Sequence, residues 1–495
     1  MARFDHIGLE RAMQSRGGAV RPVRFGGLFR LHGEMRTVAG LPLAAATAYA
    51  VLFAIALWCY PVWWREAPVL QSDSWSYMRA ARDLADFRLD SLQVRPPGYP
   101  LVLLLTGASK TPSRALLLTS LMLHCMTIWL LASILHRVGM SHVMLILFAV
   151  VLLLPPYAEA AGYVLAENLT EGALAVAFFG VSCWILKQRC AWIVLSGVAI
   201  AFAALTHPTH QLLAVAISGC LALGACFRWS RLNWKSAGIC SLLLIGTSVV
   251  IMGGYAFANY QRFGQFAIGH KLGLVLSTKT FAFVERLPDE YAPVRAALMR
   301  ARTDAVAAGG WHDASDSIHL ALPELTRITG LQEPELSDYL LRLNWTLITS
   351  APLSYVREVA IAFAMYCLPA SGSLANFDSP YIQLAWAVVH FCVMTVFALT
   401  LAVVSGMGVL MCLGGSRRLQ RIVGTDTWHD IESLFWVFAL AWTIVLYTAV
   451  ISTVFEIGIP RYRVPTEALM VCMVFIGGEI IRRITGLLRA FPLSQ

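Results

Sequence analysis

The chain has 495 residues, of which 58% are hydrophobic and only 14% are charged. Soluble domains carry about 25% charged residues, and several apolar runs here reach the ~20 residues needed to cross a bilayer, so an ordinary soluble protein is excluded. The formal net charge is +9, but the basic residues lie in short clusters between apolar runs, which is typical of cytoplasmic membrane loops. We therefore expect membrane lipids as partners and no nucleic acid.

The first half of the chain alternates apolar runs with short polar loops. Residues 1–38 form a basic segment expected on the cytoplasmic side, and the run at 40–63 predicts a first transmembrane helix. The segment 64–95 then lies outside and carries an amphipathic helix at 76–87, whose apolar face holds Tyr77, Ala80, Ala81, Leu84 and Phe87. Further spans complete an N-terminal module at 39–258; they are predicted at 113–135, 142–155, 168–186, 190–206, 209–227 and 237–258.

The second half opens with a polar stretch, 259–352, that predicts an extracytoplasmic helical loop or lid with helices at 293–308 and 335–347. A C-terminal transmembrane module at 353–495 follows, with spans at 384–412, 432–455 and 464–481. Two more apolar runs would put a basic cluster on the wrong side if they crossed fully, so we expect half-inserted or interfacial segments at 97–107 and 354–369. The sequence thus predicts an all-α polytopic fold with about 10–13 transmembrane helices.

This alternation brings a set of ionisable residues to the outer face: Asp73, Arg95, Glu159, Glu167, Arg461 and Arg463. Ionisable groups at membrane margins are costly, which makes them candidates for function. A carboxylate can accept the proton of an attacking hydroxyl, and a guanidinium binds phosphate through two parallel hydrogen bonds. The pattern therefore indicates a site for a phosphate-bearing substrate outside the membrane.

Structural interpretations of the same residues stay open at this point. Asp73 precedes a predicted helix and could cap it, and Glu167 could simply favour the positive end of a helix dipole. Arg95 could form a salt bridge with Asp86 or Asp90. The two histidines on either side of Pro208 could contact an acceptor or a metal, although a hydrogen-bonded structural role suits such a pair better; they are His207 and His210.

Four short motifs occur in a characteristic order along the chain. They are Asp-Ser-Trp-Ser-Tyr at 73–77, Arg-Pro-Pro-Gly-Tyr-Pro-Leu at 95–101, Asn-Tyr-Gln-Arg-Phe-Gly at 259–264 and Pro-Arg-Tyr-Arg-Val-Pro at 460–465. In this order they resemble the glycosyltransferase C (GT-C) superfamily, in particular the bacterial branch related to protein O-mannosyltransferases and the lipid A aminoarabinose transferase. The resemblance covers most of the chain, but only these motifs are sharp.

The resemblance implies an enzyme that transfers a sugar, hexosyl or pentosyl, from a polyprenyl-phosphate donor to an extracytoplasmic lipid, glycan or protein. It implies that Asp73 is the catalytic base. It also implies that the protein lies in a bacterial inner membrane with its active site facing the periplasm. Many relatives carry a second acid where this chain has Ser74, so a second carboxylate such as Glu159 or Glu167 could complete the site. Relatives differ in metal dependence, so the use of a divalent metal ion stays open. No other cofactor is expected.

These considerations assign provisional roles to the candidate residues. Asp73 and Glu167 are the catalytic candidates, and the donor phosphate is expected to bind Arg461, Arg463, Tyr462 and Arg95. The candidate acceptor or lid residues are Glu159, His207 and His210. Because the leaving group is already a phosphate, it needs charge neutralisation more than protonation, and attack from the opposite side would invert the anomeric carbon.

Three other functions compete with this one. A transporter or flippase should carry ionisable residues deep within its spans and paired broken helices, whereas this sequence predicts largely clean helix centres. A polysaccharide polymerase or ligase would also use outward arginines, but on oligosaccharide diphosphates. A non-catalytic scaffold would leave the clustered carboxylates and arginines unexplained.

Overall fold

In the computed structural model the described residues are 65–88, 90–187, 189–227, 232–308, 313–368, 379–410 and 425–490. Seven of their helices are long and apolar enough to cross a membrane, and the number rises to nine if two bent helix pairs each count as one span. The predicted all-α polytopic fold is confirmed, and the chain is a multi-pass membrane protein. The first predicted helix, at 40–63, lies outside the described residues.

We number the described helices of eight or more residues in chain order. The first eight are α1 Ser74–Ala85, α2 Gly98–Leu105, α3 Arg114–Arg137, α4 His142–Leu153, α5 Glu167–Lys187, α6 Cys190–Thr206, α7 Leu213–Cys226 and α8 Trp234–Phe263. The other eight are α9 Leu272–Thr280, α10 Ala292–Ala308, α11 Asp313–Thr329, α12 Glu333–Ser350, α13 Pro352–Cys367, α14 Pro380–Leu410, α15 Thr425–Phe455 and α16 Val464–Ala490.

Among the seven long apolar helices, α5 is the most enclosed: 89% of its most apolar 18-residue stretch is buried inside the protein. It packs against α3, α6 and α16, and small residues allow the close approach. Gly180 of α5, for example, lies so close to Ser196 and Trp192 of α6 that a Cβ atom would collide with them. This central helix begins at Glu167, so its first turn is held in a fixed position.

The two apolar runs that did not fit as simple spans form short or bent elements. Helix α2 has eight residues, about 12 Å at 1.5 Å per residue, which is too short to cross a bilayer. Helix α13 has 16 residues and follows α12 at a bend of 106°. A second bend, of 63°, separates α4 from Pro155–Gly162, so the predicted straight span at 142–155 ends earlier than expected, at Leu153.

The segment 65–88 contains the expected amphipathic helix, but its end was predicted wrongly. Helix α1 buries Tyr77, Ala80 and Ala81 as expected. It ends at Ala85, and Phe87 adopts a left-handed backbone with φ of 55° and is 89% exposed. Phe87 therefore does not belong to the apolar face, because the chain has already left the helix before reaching it.

The segment after α8 folds into a helical unit with its own core. Helices α9 to α12 enclose a cluster of buried aliphatic and aromatic side chains, including Leu336, Leu340, Leu343 and Leu347 at the predicted spacing of α12. Helix α9 packs directly on α12, and Gly273 permits this because a Cβ there would overlap the carbonyl of Ser337. This unit positions Lys271, the residue that precedes α9, near Asp73.

Candidate active site

Backbone pairing fixes the two segments that carry the predicted carboxylates. The amide of Val69 donates to the carbonyl of Gly162 at 2.9 Å, and the amide of Val164 donates to the carbonyl of Val69 at 3.0 Å. The hydroxyl of Ser74 then donates to the carbonyl of Val164 at 2.8 Å. Asp73 and Glu167 thus follow two chain segments that are hydrogen-bonded to each other. These bonds fix the positions of both residues independently of their own side-chain contacts.

The Asp73 carboxylate lies between two guanidinium groups. Arg95 donates through Nη2 to Oδ1, and Arg461 donates through Nη2 to Oδ2 at 2.5 Å. Asp73 occupies the position before α1, but its side chain makes no capping hydrogen bond, so the capping interpretation is wrong. The side chains of Asp73, Arg95 and Arg461 are 31%, 15% and 25% exposed, and a ligand can therefore reach them.

Arg461 also binds the second predicted carboxylate. Its Nε donates to Oε1 of Glu167, whose side chain is only 3% exposed. The other oxygen, Oε2, has no hydrogen-bond partner among the described residues. A single guanidinium from near the end of the chain therefore joins Asp73 in the first loop to Glu167 at the start of α5.

Arg95 is held by two contacts besides the carboxylate. Its Nε donates to the hydroxyl of Ser76 at 2.8 Å, and its guanidinium carbon lies 4.3 Å from the centroid of the Tyr77 ring. Tyr77 in turn packs edge-to-face against Tyr99, with centroids 5.1 Å apart. The alternative salt bridges are wrong for Arg95: Asp86 pairs with Arg88, and Asp90 lies 3.9 Å from Arg262.

Arg463 was grouped with Arg461 in the sequence, but the structure separates the two side chains. Arg463 is fully buried, donates through Nε to Glu467 at 2.7 Å, and donates through Nη1 to the carbonyls of Tyr366 and Leu368. It therefore ties the end of α13 to the start of α16, and the structure does not bring it to Asp73.

The contacts of Glu467 also correct the expectation of clean helix centres. His390, which lies within α14, approaches Glu467 with Nε2 3.4 Å from Oε1. In α3, His124 lies 3.4 Å from Glu171 of α5, and both are buried. Ionisable residues are thus present inside the helix bundle, in two pairs whose nearest nitrogen and oxygen atoms are 3.4 Å apart.

The remaining predicted residues surround the cluster on one side. His207 and Tyr462 lie with ring centroids 6.1 Å apart, and the Arg461 guanidinium is 5.8 Å from the Tyr462 ring. His210 packs behind His207 at 6.1 Å. Glu159 is fully buried and accepts a hydrogen bond of 2.7 Å from Tyr163, so it lies in the segment that supports the Val69 pairing.

Three ionisable residues near the site were not singled out from the sequence. Lys271 interacts electrostatically with Asp73 and Arg95, and its ammonium lies 3.8 Å from Glu333. Glu456 is buried and interacts with Arg461, Glu167, Asp73 and Lys279. Lys279 on α9 is buried, and its Nζ has no hydrogen-bond partner among the described residues. Glu456 lies four residues before the Pro-Arg-Tyr-Arg-Val-Pro motif at 460–465, and this proximity was its signal in the sequence.

These environments set the protonation of the site at neutral pH. Burial raises the pKa of Asp73, but the guanidiniums of Arg95 and Arg461 outweigh it and hold the pKa well below the usual range. Burial raises the pKa of Glu456 to about 8 and lowers the pKa of His207 to about 4. Burial and the nearby Arg95 lower the pKa of Lys271 to about 8. Asp73 is therefore ionised at neutral pH, Glu456 is mostly protonated and His207 is neutral.

The cluster does not fit a divalent metal ion. Magnesium and similar cations need several oxygen ligands, whereas each Asp73 oxygen and one Glu167 oxygen here face a guanidinium. Among the residues that the structure describes, no group of three or more His, Cys, Asp or Glu side chains could hold a metal. We therefore derive no step through a metal.

Comparison with known proteins identifies the fold. No protein-family model and no curated protein matches the chain. The archaeal oligosaccharyltransferase AglB from Archaeoglobus fulgidus, in complex with an inhibitory peptide and a dolichol-phosphate, matches over 92% of this chain with a TM-score of 0.50 and 11% identity. The chain spans about half of that protein, 52% of its length. This chain therefore shares the fold of that oligosaccharyltransferase.

Two weaker matches are to ArnT from Cupriavidus metallidurans. The form bound to undecaprenyl phosphate covers 89% of this chain and 78% of its own at 14% identity, with a TM-score of 0.32. The apo form covers 83% of this chain and 78% of its own at 16% identity, with a TM-score of 0.33.

Proposed function

We propose that this protein is a membrane glycosyltransferase that moves a sugar from a polyprenyl-phosphate donor to the hydroxyl of a lipid, glycan or protein acceptor. The observation that carries the proposal is the contact of Asp73 with Arg461, which brings a carboxylate and a guanidinium together from distant parts of the chain at a partly exposed site. The fold shared with AglB, whose structure contains a dolichol-phosphate, supports a lipid-phosphate substrate.

Charge balance explains why the donor needs a guanidinium. A sugar joined to a lipid phosphate is a phosphodiester with one negative charge, whereas the released lipid phosphate is a monoester that carries up to two. A fixed cation at the leaving oxygen stabilises the charge that develops in the transition state. Arg461 has the exposure to make this contact, and Lys271 is a third cation near the same carboxylate, besides Arg95 and Arg461.

The transfer step uses Asp73 as the base. The acceptor oxygen forms a bond to the anomeric carbon while its proton passes to the Asp73 carboxylate. The bond between the anomeric carbon and the phosphate oxygen breaks, and its electron pair stays on the lipid phosphate. Attack opposite the leaving group inverts the anomeric carbon, and the proton on Asp73 then returns to solvent.

The contacts in the free site support a particular order of substrate binding. With two guanidiniums beside it, Asp73 has a low pKa and is a weak base. A donor phosphate competes with Asp73 for Arg461, and removing this partner raises the pKa of Asp73 towards the range in which it accepts a proton. We infer that the donor binds first and that its binding activates the base, while Arg95 keeps the carboxylate in place.

The other predicted residues take supporting roles in this proposal. Glu167 orients Arg461 through Nε, and Tyr462 and His207 form the wall beside it. Arg463, whose Nε and Nη1 already have partners, stabilises the turn that carries Arg461. We place the protein in a bacterial inner membrane with this site on the periplasmic side, residues 259–352 as its lid, and the modules 39–258 and 353–495 as its walls.

A transfer assay with purified full-length protein tests the proposal. A panel of radiolabelled polyprenyl-phosphate sugars is supplied with membrane extracts as acceptors, and Asp73→Asn is compared with wild type. We expect Asp73→Asn to bind donor but to lose turnover by about 10²–10⁴-fold. The matched control is Asp86→Asn, an exposed acid of the same loop, which should retain activity.

Two outcomes would contradict the proposal. Equal turnover by wild type and Asp73→Asn would remove Asp73 as the base. Movement of labelled lipid across proteoliposomes without release of lipid phosphate would identify a transporter.

A further inference from the structure

A cavity of about 480 Å³ lies at the other end of the helix bundle from Asp73. Its charged lining consists of Arg137 at the end of α3, Lys187 at the end of α5, Arg483 on α16 and Asp430 on α15. Three cationic side chains therefore face one carboxylate. Nothing in the proposed transfer reaction uses this cavity.

The lengths of the helices give the distance between this cavity and the candidate active site. Helix α5 begins at Glu167, beside Arg461, and ends at Lys187, in the cavity. Its 21 residues span about 30 Å at 1.5 Å per residue, the thickness of a bilayer hydrocarbon core. Helix α16 likewise starts next to the site and carries Arg483 into the cavity. The cavity thus lies at the opposite membrane margin.

The three cationic side chains differ in whether they already have hydrogen-bond or ion-pair partners. Arg483 donates through Nε to Glu479 at 2.7 Å and through Nη2 to the carbonyl of Val138 at 3.0 Å, so it forms a fixed wall. The Arg137 guanidinium lies 5.9 Å from the centroid of the Phe179 ring. Among the residues that the structure describes, neither Arg137 nor the exposed Lys187 has an ion-pair partner. Two cationic groups are therefore available to an incoming anion.

We propose that this cavity binds a phosphate group, either the headgroup of an anionic lipid or a free phosphate. Arginine and lysine side chains that converge between transmembrane helices at a membrane margin are the chemistry that recognises such headgroups, and the guanidinium of Arg137 can meet two phosphate oxygens at once. Simple interfacial anchoring would explain basic residues at helix ends, but it requires no cavity between four helices.

The test measures binding and does not depend on transferase activity. Full-length protein in neutral detergent is titrated with phosphatidylglycerol, with phosphatidylcholine and with inorganic phosphate, and the thermal unfolding temperature and native mass spectra are recorded. We expect saturable stabilisation and a retained lipid with phosphatidylglycerol, and none with phosphatidylcholine. Stabilisation by inorganic phosphate at similar concentrations would instead identify the free anion as the ligand.

Variants test whether the ligand binds in this cavity. We expect Arg137→Gln/Lys187→Gln to weaken binding on the order of 20-fold, at roughly fivefold per charge. The matched control, Lys110→Gln/Arg342→Gln, removes the same charges from exposed positions elsewhere and should bind like wild type. Equal binding by the two double variants would overturn the proposal. If the first one does not fold, the single Lys187→Gln change at the exposed position gives the same comparison.

Discussion

Arg461 and Arg463 are two residues apart in one helical turn, yet they occupy opposite kinds of environment. Arg461 is one-quarter exposed and faces carboxylates from two other segments of the chain. Arg463 is fully buried and is bonded to Glu467, one turn further along the same stretch, and to two backbone carbonyls. The same side chain thus serves a reachable site in one case and the bundle interior in the other.

The difference shows what makes an arginine available to a substrate. Arg463 pairs with a carboxylate that no ligand can replace, because both groups are buried and the backbone of α13 holds the guanidinium in place. Arg461 pairs with Asp73, a carboxylate that is itself 31% exposed. We therefore expect a phosphate to displace Asp73 from Arg461 more readily than Glu467 from Arg463.

The largest expected effect is on folding, in Arg463→Met. Removing one partner of a buried ion pair leaves the other charge unpaired and costs about 3–5 kcal/mol. We expect a strongly lowered unfolding temperature in detergent, with partial recovery in Arg463→Met/Glu467→Gln because the second change removes the orphaned charge. The control is Arg482→Met, whose side chain is 71% exposed in its pair with Glu479; equal losses in the two single variants would contradict the comparison.

Arg461→Gln should act on the donor instead of the fold. Losing the cation at the leaving group is expected to lower kcat/KM for the lipid-phosphate sugar by about 10²–10³-fold, with weaker binding of labelled donor. The matched control is Arg88→Gln, which changes an exposed arginine that follows α1. A fall in unfolding temperature with unchanged donor binding would show that Arg461, like Arg463, stabilises the fold and does not bind the donor.

Hydropathy predicted most of the fold, because long apolar runs have few alternatives in a bilayer. The spans beginning at Arg114, Glu167 and Trp234 lie within a few residues of their predicted bounds. The errors occur where the chain leaves a regular helix. The apolar spacing of α1 continues to Phe87 in the sequence, but a left-handed turn there directs the side chain to the surface.

The candidate site was predictable in its composition and only partly in its geometry. The motifs pointed to Asp73, Arg95 and Arg461, and the alternation of the predicted spans added Glu167. The structure brings these four residues together. Arg463 was misplaced because a turn of 3₁₀ type rotates residues two apart by about 240°, and sequence spacing does not reveal which of them faces the substrate. Lys271 and Glu456 were missed because their proximity to Asp73 arises only from the packing of distant helices.

A smaller effect is expected from Arg95→Lys, which keeps the charge but loses the fork that joins Asp73 to Ser76. Hydrogen bonds to charged groups contribute about 1.5–3 kcal/mol, so we expect kcat to fall by about 10- to 10²-fold with the donor KM unchanged. Ser76→Ala should give a weaker version of the same change. If KM rises while kcat stays constant, Arg95 binds the phosphate directly and the site has two equivalent arginines.

The smallest effect is expected from Glu456→Gln, which tests the third carboxyl group near Arg461. Burial raises the pKa of Glu456 from 4.5 to about 8, so between these values the folded protein holds a proton that the unfolded chain has released. The stability from this group is complete below about pH 4.5 and is lost as the pH rises towards 8. His207 acts in the opposite direction between about 4 and 6.5, because its pKa is lowered by burial.

The window from pH 6.5 to 8 therefore isolates Glu456. There we expect the unfolding temperature of wild type to decline relative to that of Glu456→Gln, whose neutral amide does not titrate. The charged groups that face Glu456 are Arg461, Glu167, Asp73 and Lys279. Lys279, with its pKa lowered to about 8 by burial, changes stability only above that value and with the opposite sign. A constant difference between the two proteins across this window would show that Glu456 is ionised in the fold, in which case Arg461 would face three carboxylates and a donor phosphate would bind less readily than we propose.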